Sequence, residues 1–258
     1  MLREWGPDPI TGKVMIYLAH YTPAAARLLA FRYGSSVLVS KQDMSVSVEL
    51  NRRNDFAPYN GGDWLDVKCS SGPTVIDRSN GRTYTLSAGH CAGLGATITT
   101  HGQLMGKVVN RIYGTMDVER IDDLGGGYNG SVWGGSATAA NPGSYIEVGA
   151  LFAQPGALVT NTSAASGEIS GIRVVAVNQM LTIAGHTVTN LTKVYKNGAQ
   201  ICQGGDSGGP WIQRVGTTDQ AKVVGTTVAG SGRVGTGFST CYYQQINNTM
   251  SAFNSYVP

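Results

Sequence analysis

From Gly61 onward the chain is written in short apolar runs broken by glycine or asparagine, and this punctuation restricts the fold more than any other feature. Residues 83–88, 105–109, 172–177 and 223–228 are rich in β-branched side chains and bounded by turn formers. Glycine supplies 36 of the 258 residues, and charged residues make up only 14%. A helical bundle needs more charge and far fewer turns, so the balance reads as all-β. Evenly spaced short strands over about 200 residues imply a barrel or a sandwich. The end of the chain departs from this pattern. Ile246, Met250, Phe253 and Val257 recur at one-turn intervals, which predicts a C-terminal helix that closes the domain.

The first 54 residues read differently. Residues 13–19 predict a strand. A helix is expected after Thr22, with Thr22 as cap, Pro23 in the first turn, an alanine-rich body and Gly34 as the stop. Residues 36–40 predict a second strand, completing one small βαβ unit that is marginal alone. The polar stretch 51–55 and the turn residues after Pro58 read as an exposed linker open to proteolysis.

Composition excludes several functions. The net charge is +3 and no run of Lys and Arg occurs, so nucleic acid is not an expected partner. No apolar stretch reaches the roughly 18 residues a spanning helix needs, and no membrane role is expected. No signal peptide is visible after Met1. Cys69, Cys91, Cys202 and Cys241 contain no CxxC pair, so no metal site is expected. Four widely spaced cysteines fit two disulfides and an oxidising compartment; four buried free thiols are the alternative.

Two segments carry chemistry. Cys202-Gln203-Gly204-Gly205-Asp206-Ser207-Gly208-Gly209-Pro210 places a serine in a glycine-rich turn. Such a turn aims successive N–H groups at one point, where an oxyanion would form. Gly205, Ser207 and Gly209 also match the G-x-S-x-G elbow of α/β-hydrolases, whose histidine follows its serine. Here His20, His90, His101 and His186 all precede Ser207, so that reading fails. The second segment, Leu86-Ser87-Ala88-Gly89-His90-Cys91, ends a predicted strand in a small-residue turn bearing a histidine.

Together Ser87-Ala88-Gly89-His90-Cys91 and Gly205-Asp206-Ser207-Gly208-Gly209-Pro210 resemble the histidine and serine motifs of the chymotrypsin family of serine peptidases. The resemblance spans about residues 61 to 258. Within the family it is nearest to the secreted bacterial streptogrisin and α-lytic branch, through Gly61-Gly62-Asp63-Trp64-Leu65, Cys69-Ser70-Ser71-Gly72 and Tyr242-Tyr243-Gln244-Gln245. It implies two six-stranded antiparallel β-barrels with a C-terminal helix over 55–258, preceded by a small α/β pro-region remnant with its linker over 1–54. It implies a secreted, monomeric serine endopeptidase made as a zymogen. Its partners would be protein or peptide substrates and its own pro-region, and it would need no cofactor.

The resemblance also assigns roles. Ser207 is the nucleophile and His90 its base. The acid lies between them in the chain, where Asp117, Asp122 and Asp123 are available. Asp117 opens a segment like that of the family's acid, whereas Asp122 and Asp123 run into a glycine turn. The N–H groups of Gly205 and Ser207 would form the oxyanion hole, and Val228, Ala229 and Gly230 would line the substrate cleft. The implied disulfides are Cys69–Cys91 and Cys202–Cys241. No acid precedes Ser207 at the pocket floor, which favours an apolar residue before the cleaved bond.

Three departures accompany the resemblance. The stretch 160–163 lacks the arginine that serves the aspartate before the serine in the bacterial branch, leaving Asp206 without an identified partner. Val228 stands where the family has a serine. Cys241 falls later than its counterpart. A non-catalytic homologue acting as a binding module is the reading from a different class, and an esterase uses the same triad.

Overall fold

The computed structural model describes residues 2–7, 13–18, 22–40 and 51–258. The chain divides into two compact units, Met1–Val48 and Glu49–Pro258. In the first, strand Val14–Leu18 pairs antiparallel with Leu2–Pro7 and parallel with Val37–Ser40. Helix α1 (Pro23–Tyr33) makes the crossover between the parallel strands. Thr22 Oγ1 accepts the Ala25 N–H at 3.1 Å, and Gly34 ends the helix at φ 65°. The βαβ unit is thus present, and Leu2–Pro7 adds a strand that the sequence reading did not foresee.

The second unit is built from two large sheets and a two-stranded ribbon, Trp64–Leu65 with Cys69–Ser70. Six strands form the first, in the order Ser255–Tyr256, Thr74–Asp77, Thr83–Ser87, Asp117–Ile121, Gln103–Tyr113, Thr97–Thr100. Six strands of the other sheet close on themselves. Pro210–Arg214, Leu158–Ser163, Gly167–Ile183, His186–Tyr195, Gly237–Gln245 and Gln220–Val234 follow one another antiparallel, and the last pairs back with the first. Closure removes the open edge and leaves an interior that side chains can fill. Val159, Ile172, Val174, Val194, Trp211 and Tyr243 fill it. Trp211 is fully buried, donates Nε1–H to Thr227 Oγ1 at 2.8 Å and stacks on Tyr243. Three further strands, Ser144–Ala150, Tyr128–Trp133 and Tyr59–Gly61, extend the sheet, with parallel pairings at Ser144–Ala150 to Gln220–Val234 and at Tyr59–Gly61 to Tyr128–Trp133.

Two expectations need correction. The C-terminal helix α2 spans only Ile246–Ala252. Val257 reaches the same core as Ile246 and Phe253 from an extended tail, whose strand Ser255–Tyr256 pairs with Thr74–Asp77. Helical spacing and that geometry place the same residues inside, so periodicity alone does not separate them. The polar connector is also not an exposed linker. Arg52 and Asp55 are buried, and only Arg53 of the pair of arginines faces solvent. Arg120, an odd residue for an interior strand, donates Nη1–H to Asp77 at 2.7 Å and to the Phe253 carbonyl at 3.2 Å. It ties the strand of Asp117 to the C-terminal segment.

Glu147, on Ser144–Ala150, accepts the Thr74 N–H with both oxygens at 3.1 Å. Burial pushes its carboxyl from 4.5 to about 8. Between those values the native state keeps a proton that the unfolded chain has released, so stability falls as pH rises through the window. Glu147→Gln has nothing to ionise there. Its urea midpoint is expected to gain on the wild type between the lower and the upper end of that range. A difference that stays constant with pH would mean that Glu147 ionises normally.

Candidate active site

The strand Thr83–Ser87 ends at the turn that carries His90, where the Cys91 N–H returns to the Ala88 carbonyl at 3.0 Å. Gly89 is required in this turn by close approach. A Cβ there would stand 2.5 Å from the Ile112 carbonyl oxygen and 2.9 Å from the Val118 nitrogen. The disulfide Cys69–Cys91 anchors the residue next to the imidazole. Closing a loop of that size restrains the unfolded chain by about 3 kcal/mol. Both sulfurs lie near the His90 ring, but the disulfide takes up both and leaves no thiolate for a metal.

Asp117 opens its strand after the Gly114-Thr115-Met116 turn and is fully buried. Its Oδ1 accepts the His90 backbone N–H at 2.8 Å, and its Oδ2 lies 2.6 Å from His90 Nδ1. On the other side of the ring, His90 Nε2 lies 2.8 Å from Ser207 Oγ. The carboxylate fixes the proton on Nδ1, which leaves Nε2 as the acceptor toward the hydroxyl. Three residues far apart in the chain therefore meet in one line. Asp122 and Asp123 stand elsewhere. Asp122 accepts the Lys107 N–H, and Asp123 pairs with Arg82 at 2.8 Å.

Gly205 adopts φ 96°, in the region open to glycine, and a Cβ on it would lie 2.6 Å from Cζ3 of Trp64 and 3.1 Å from Cβ of Ala165. Among the described residues, neither the Gly205 N–H nor the Ser207 N–H donates to a protein acceptor. The Gly205 carbonyl instead accepts Ser70 Oγ–H at 2.8 Å, and the Ser207 carbonyl accepts the Ser70 N–H at 2.8 Å. One serine thus holds both peptide units of the loop.

The Asp206 carboxylate is fully buried, and among the described residues no arginine forms an ion pair with it. Ser166 donates to it through N–H at 2.9 Å and through Oγ–H, and Gln203 donates its backbone N–H at 2.8 Å. Burial raises its pKa, while these donors pull it back. Ser166 is the partner that sequence reasoning missed; a lone serine three residues past the arginine-free stretch carries no signal. Ser70 likewise carries no signal of its role in sequence, where it is one small residue of Cys69-Ser70-Ser71-Gly72.

Val228 is buried among Val188, Leu191 and Tyr242, so an apolar contact fills the place where a hydroxyl was expected. Ala229 and Gly230 follow it on the strand Gln220–Val234, paired with Tyr242 and Cys241. Cys202 and Cys241 form the second disulfide. Phe238 packs against Gly230, where a Cβ would meet its Cγ at 2.6 Å, and its N–H bonds the Cys202 carbonyl at 2.8 Å.

Comparison with family models gives no match, and no curated protein is a recognisable relative. Solved structures do match. Protease A of Thermobifida fusca has 28% identity over 76% of this chain and 96% of its own, with a TM-score of 0.61. Nocardiopsis protease matches at 24% identity over 76% and 96%, with a TM-score of 0.63. A glutamic acid-specific serine protease matches at 21% identity over 78% of this chain and all of its own, with a TM-score of 0.64. The architecture shared with these structures is the chymotrypsin-like fold of two barrels, to which the two large sheets described above correspond. The chain thus has the fold of the bacterial chymotrypsin-like serine proteases.

Proposed function

We propose that this chain hydrolyses peptide bonds through Ser207, His90 and Asp117 by way of an acyl-enzyme. The observation that carries the reading is the continuous relay from Asp117 Oδ2 to His90 Nδ1 at 2.6 Å and from His90 Nε2 to Ser207 Oγ at 2.8 Å. Ser207 Oγ attacks the carbonyl carbon as its proton passes to His90 Nε2. Asp117 holds the reactive tautomer and stabilises the imidazolium. The free N–H groups of Gly205 and Ser207 receive the negative charge on the carbonyl oxygen. His90 then returns the proton to the leaving amine, and water repeats the sequence on the ester. No step calls for a cofactor.

The segment Val228-Ala229-Gly230 presents an extended edge to the substrate backbone. The sulfur of Cys202–Cys241 and the ring of Phe238 beside Gly230 support an apolar side chain before the cleaved bond. Two disulfides support action outside the cytosol. The compact N-terminal unit is the remnant of a pro-region, and the mature enzyme works as a monomer on protein or peptide substrates.

A fluorophosphonate probe tests the chemistry directly. The expected result is a single adduct that peptide mapping places on Ser207, with cleavage of an apolar peptide library by the same preparation. A folded protein that neither takes the label nor cleaves any peptide would overturn the reading.

A further inference from the structure

Arg52 lies in the polar connector, yet its side chain is fully buried in the second unit. The turn Asn51–Asn54 sends Arg53 outward and Arg52 inward. Its Nη1 donates to the Thr162 carbonyl at 2.7 Å and, more loosely, to those of Gly62 and Ser163 at 3.4 Å. Its Nη2 donates to Thr162 Oγ1 at 2.6 Å and to the carbonyls of Trp133 and Gly134 at 2.8 and 3.0 Å. Burying a guanidinium is costly unless its donors are met. Here the planar fork joins three segments that are distant in sequence, a geometry that an ammonium cannot reproduce.

Two links run from Arg52 to the oxyanion loop, one through its side chain and one through its backbone. The segment held at Thr162 continues into Ala164, whose N–H bonds the Ser70 hydroxyl that grips the Gly205 carbonyl, and then into Ala165 and Ser166. Ala165 Cβ lies against Gly205, and Ser166 holds the Asp206 carboxylate. The other link leaves from the arginine's own backbone. The Arg52 carbonyl accepts the Trp64 N–H at 2.7 Å, and the Trp64 ring packs beside Ala165 on the side of Gly205 where a Cβ would lie. Trp64 and Ala165 together occupy the space a side chain at position 205 would need, where Gly205 takes a positive φ of 96°.

We infer that Arg52 is a positioning residue for catalysis, which sets the oxyanion loop by fixing Ala165 and Trp64, the two groups packed against Gly205. The inference rests on the proposed role of Gly205 and Ser207. It means that the active enzyme must retain Arg52, so the boundary of any removable segment falls before it.

The test uses the full chain and its Arg52→Ala and Arg52→Lys variants, with each preparation normalised by active-site titration. A residue that only stabilises the fold would lower the titrated fraction and leave kcat per site unchanged. A positioning residue lowers kcat per site, on the order of 10- to 100-fold for Arg52→Ala, with KM little altered. Affinity for a peptide boronate should fall by the same factor, because that ligand mimics the transition state. Arg52→Lys keeps the charge without the fork and should show the same split with a smaller loss. If Arg52→Ala fails to fold, the lysine variant decides. Either variant titrating with wild-type kcat would overturn the inference. So would an active processed form whose N-terminal sequence begins after Arg52. An unmodified protein that neither labels nor cleaves would instead sink the proposed function itself.

Discussion

Turnover of an apolar peptide nitroanilide is expected to fall about 10⁶-fold in Ser207→Ala, the scale on which a triad enzyme loses kcat with its nucleophile. The reason is that the whole covalent route disappears. His90 would keep its bond to Asp117, but its Nε2 would face a methyl group in place of the hydroxyl oxygen that lay 2.8 Å away. Folding should survive, because Ser207 is held through its backbone. Its carbonyl bonds the Ser70 N–H, and the following Gly208 N–H bonds the Thr227 carbonyl. Substrate affinity should therefore change little, and the residual rate should be that of a cleft with an intact oxyanion site. Persistent covalent labelling of the folded variant would reassign the nucleophile.

A second large effect is expected from the acid. Asp117→Asn should lower kcat about 10⁴-fold, the size such a change has in the chymotrypsin triad itself. An asparagine amide facing His90 Nδ1 favours the tautomer with the proton on Nε2, which cannot accept from Ser207. Asp117 accepts both the ring and the backbone N–H of His90, at 2.6 and 2.8 Å, so the substitution disturbs one bond of each kind. Asp122→Asn is the matched control. Among the described residues that carboxylate accepts only the Lys107 N–H, past the far end of the strand that Asp117 opens, and its loss should leave kcat within a few-fold. If the two variants behaved the other way round, the acid would be Asp122.

The motifs around His90 and Ser207 were legible because each needs small residues for a local reason. Gly89 has a carbonyl oxygen where its Cβ would be, and Gly205 has a tryptophan ring there. The strand runs were legible for the same kind of reason, since β-branched residues between glycines leave few other conformations. Asp117 was harder to separate from its neighbours. Its assignment came from resemblance, and the alternating strand after it was obscured by Glu119 and Arg120. Arg120 is explained by its buried bond to Asp77, and Asp77 lies 43 residues away in sequence.

Arg52 marks the limit. In sequence it is one of two adjacent arginines among asparagines and an aspartate, which reads as solvated surface. Its neighbour Arg53 does lie at the surface, so composition was right for one residue and wrong for the next. The difference is set by carbonyls of residues 133–134 and 162, which converge only once the barrel closes. The same holds for Ser166, an unremarkable hydroxyl until folding brings it to Asp206.

By itself, then, the sequence determined the all-β class, the serine in its glycine turn and the histidine at a strand end. Each is fixed by backbone sterics over a few residues, which local sequence encodes. The tertiary structure alone decided how Asp206 is neutralised, which connector residue is buried and what stands behind Gly205. Those depend on contacts across 40 residues of chain or more, where a contact is specified by the geometry of the closed barrel and by no local pattern.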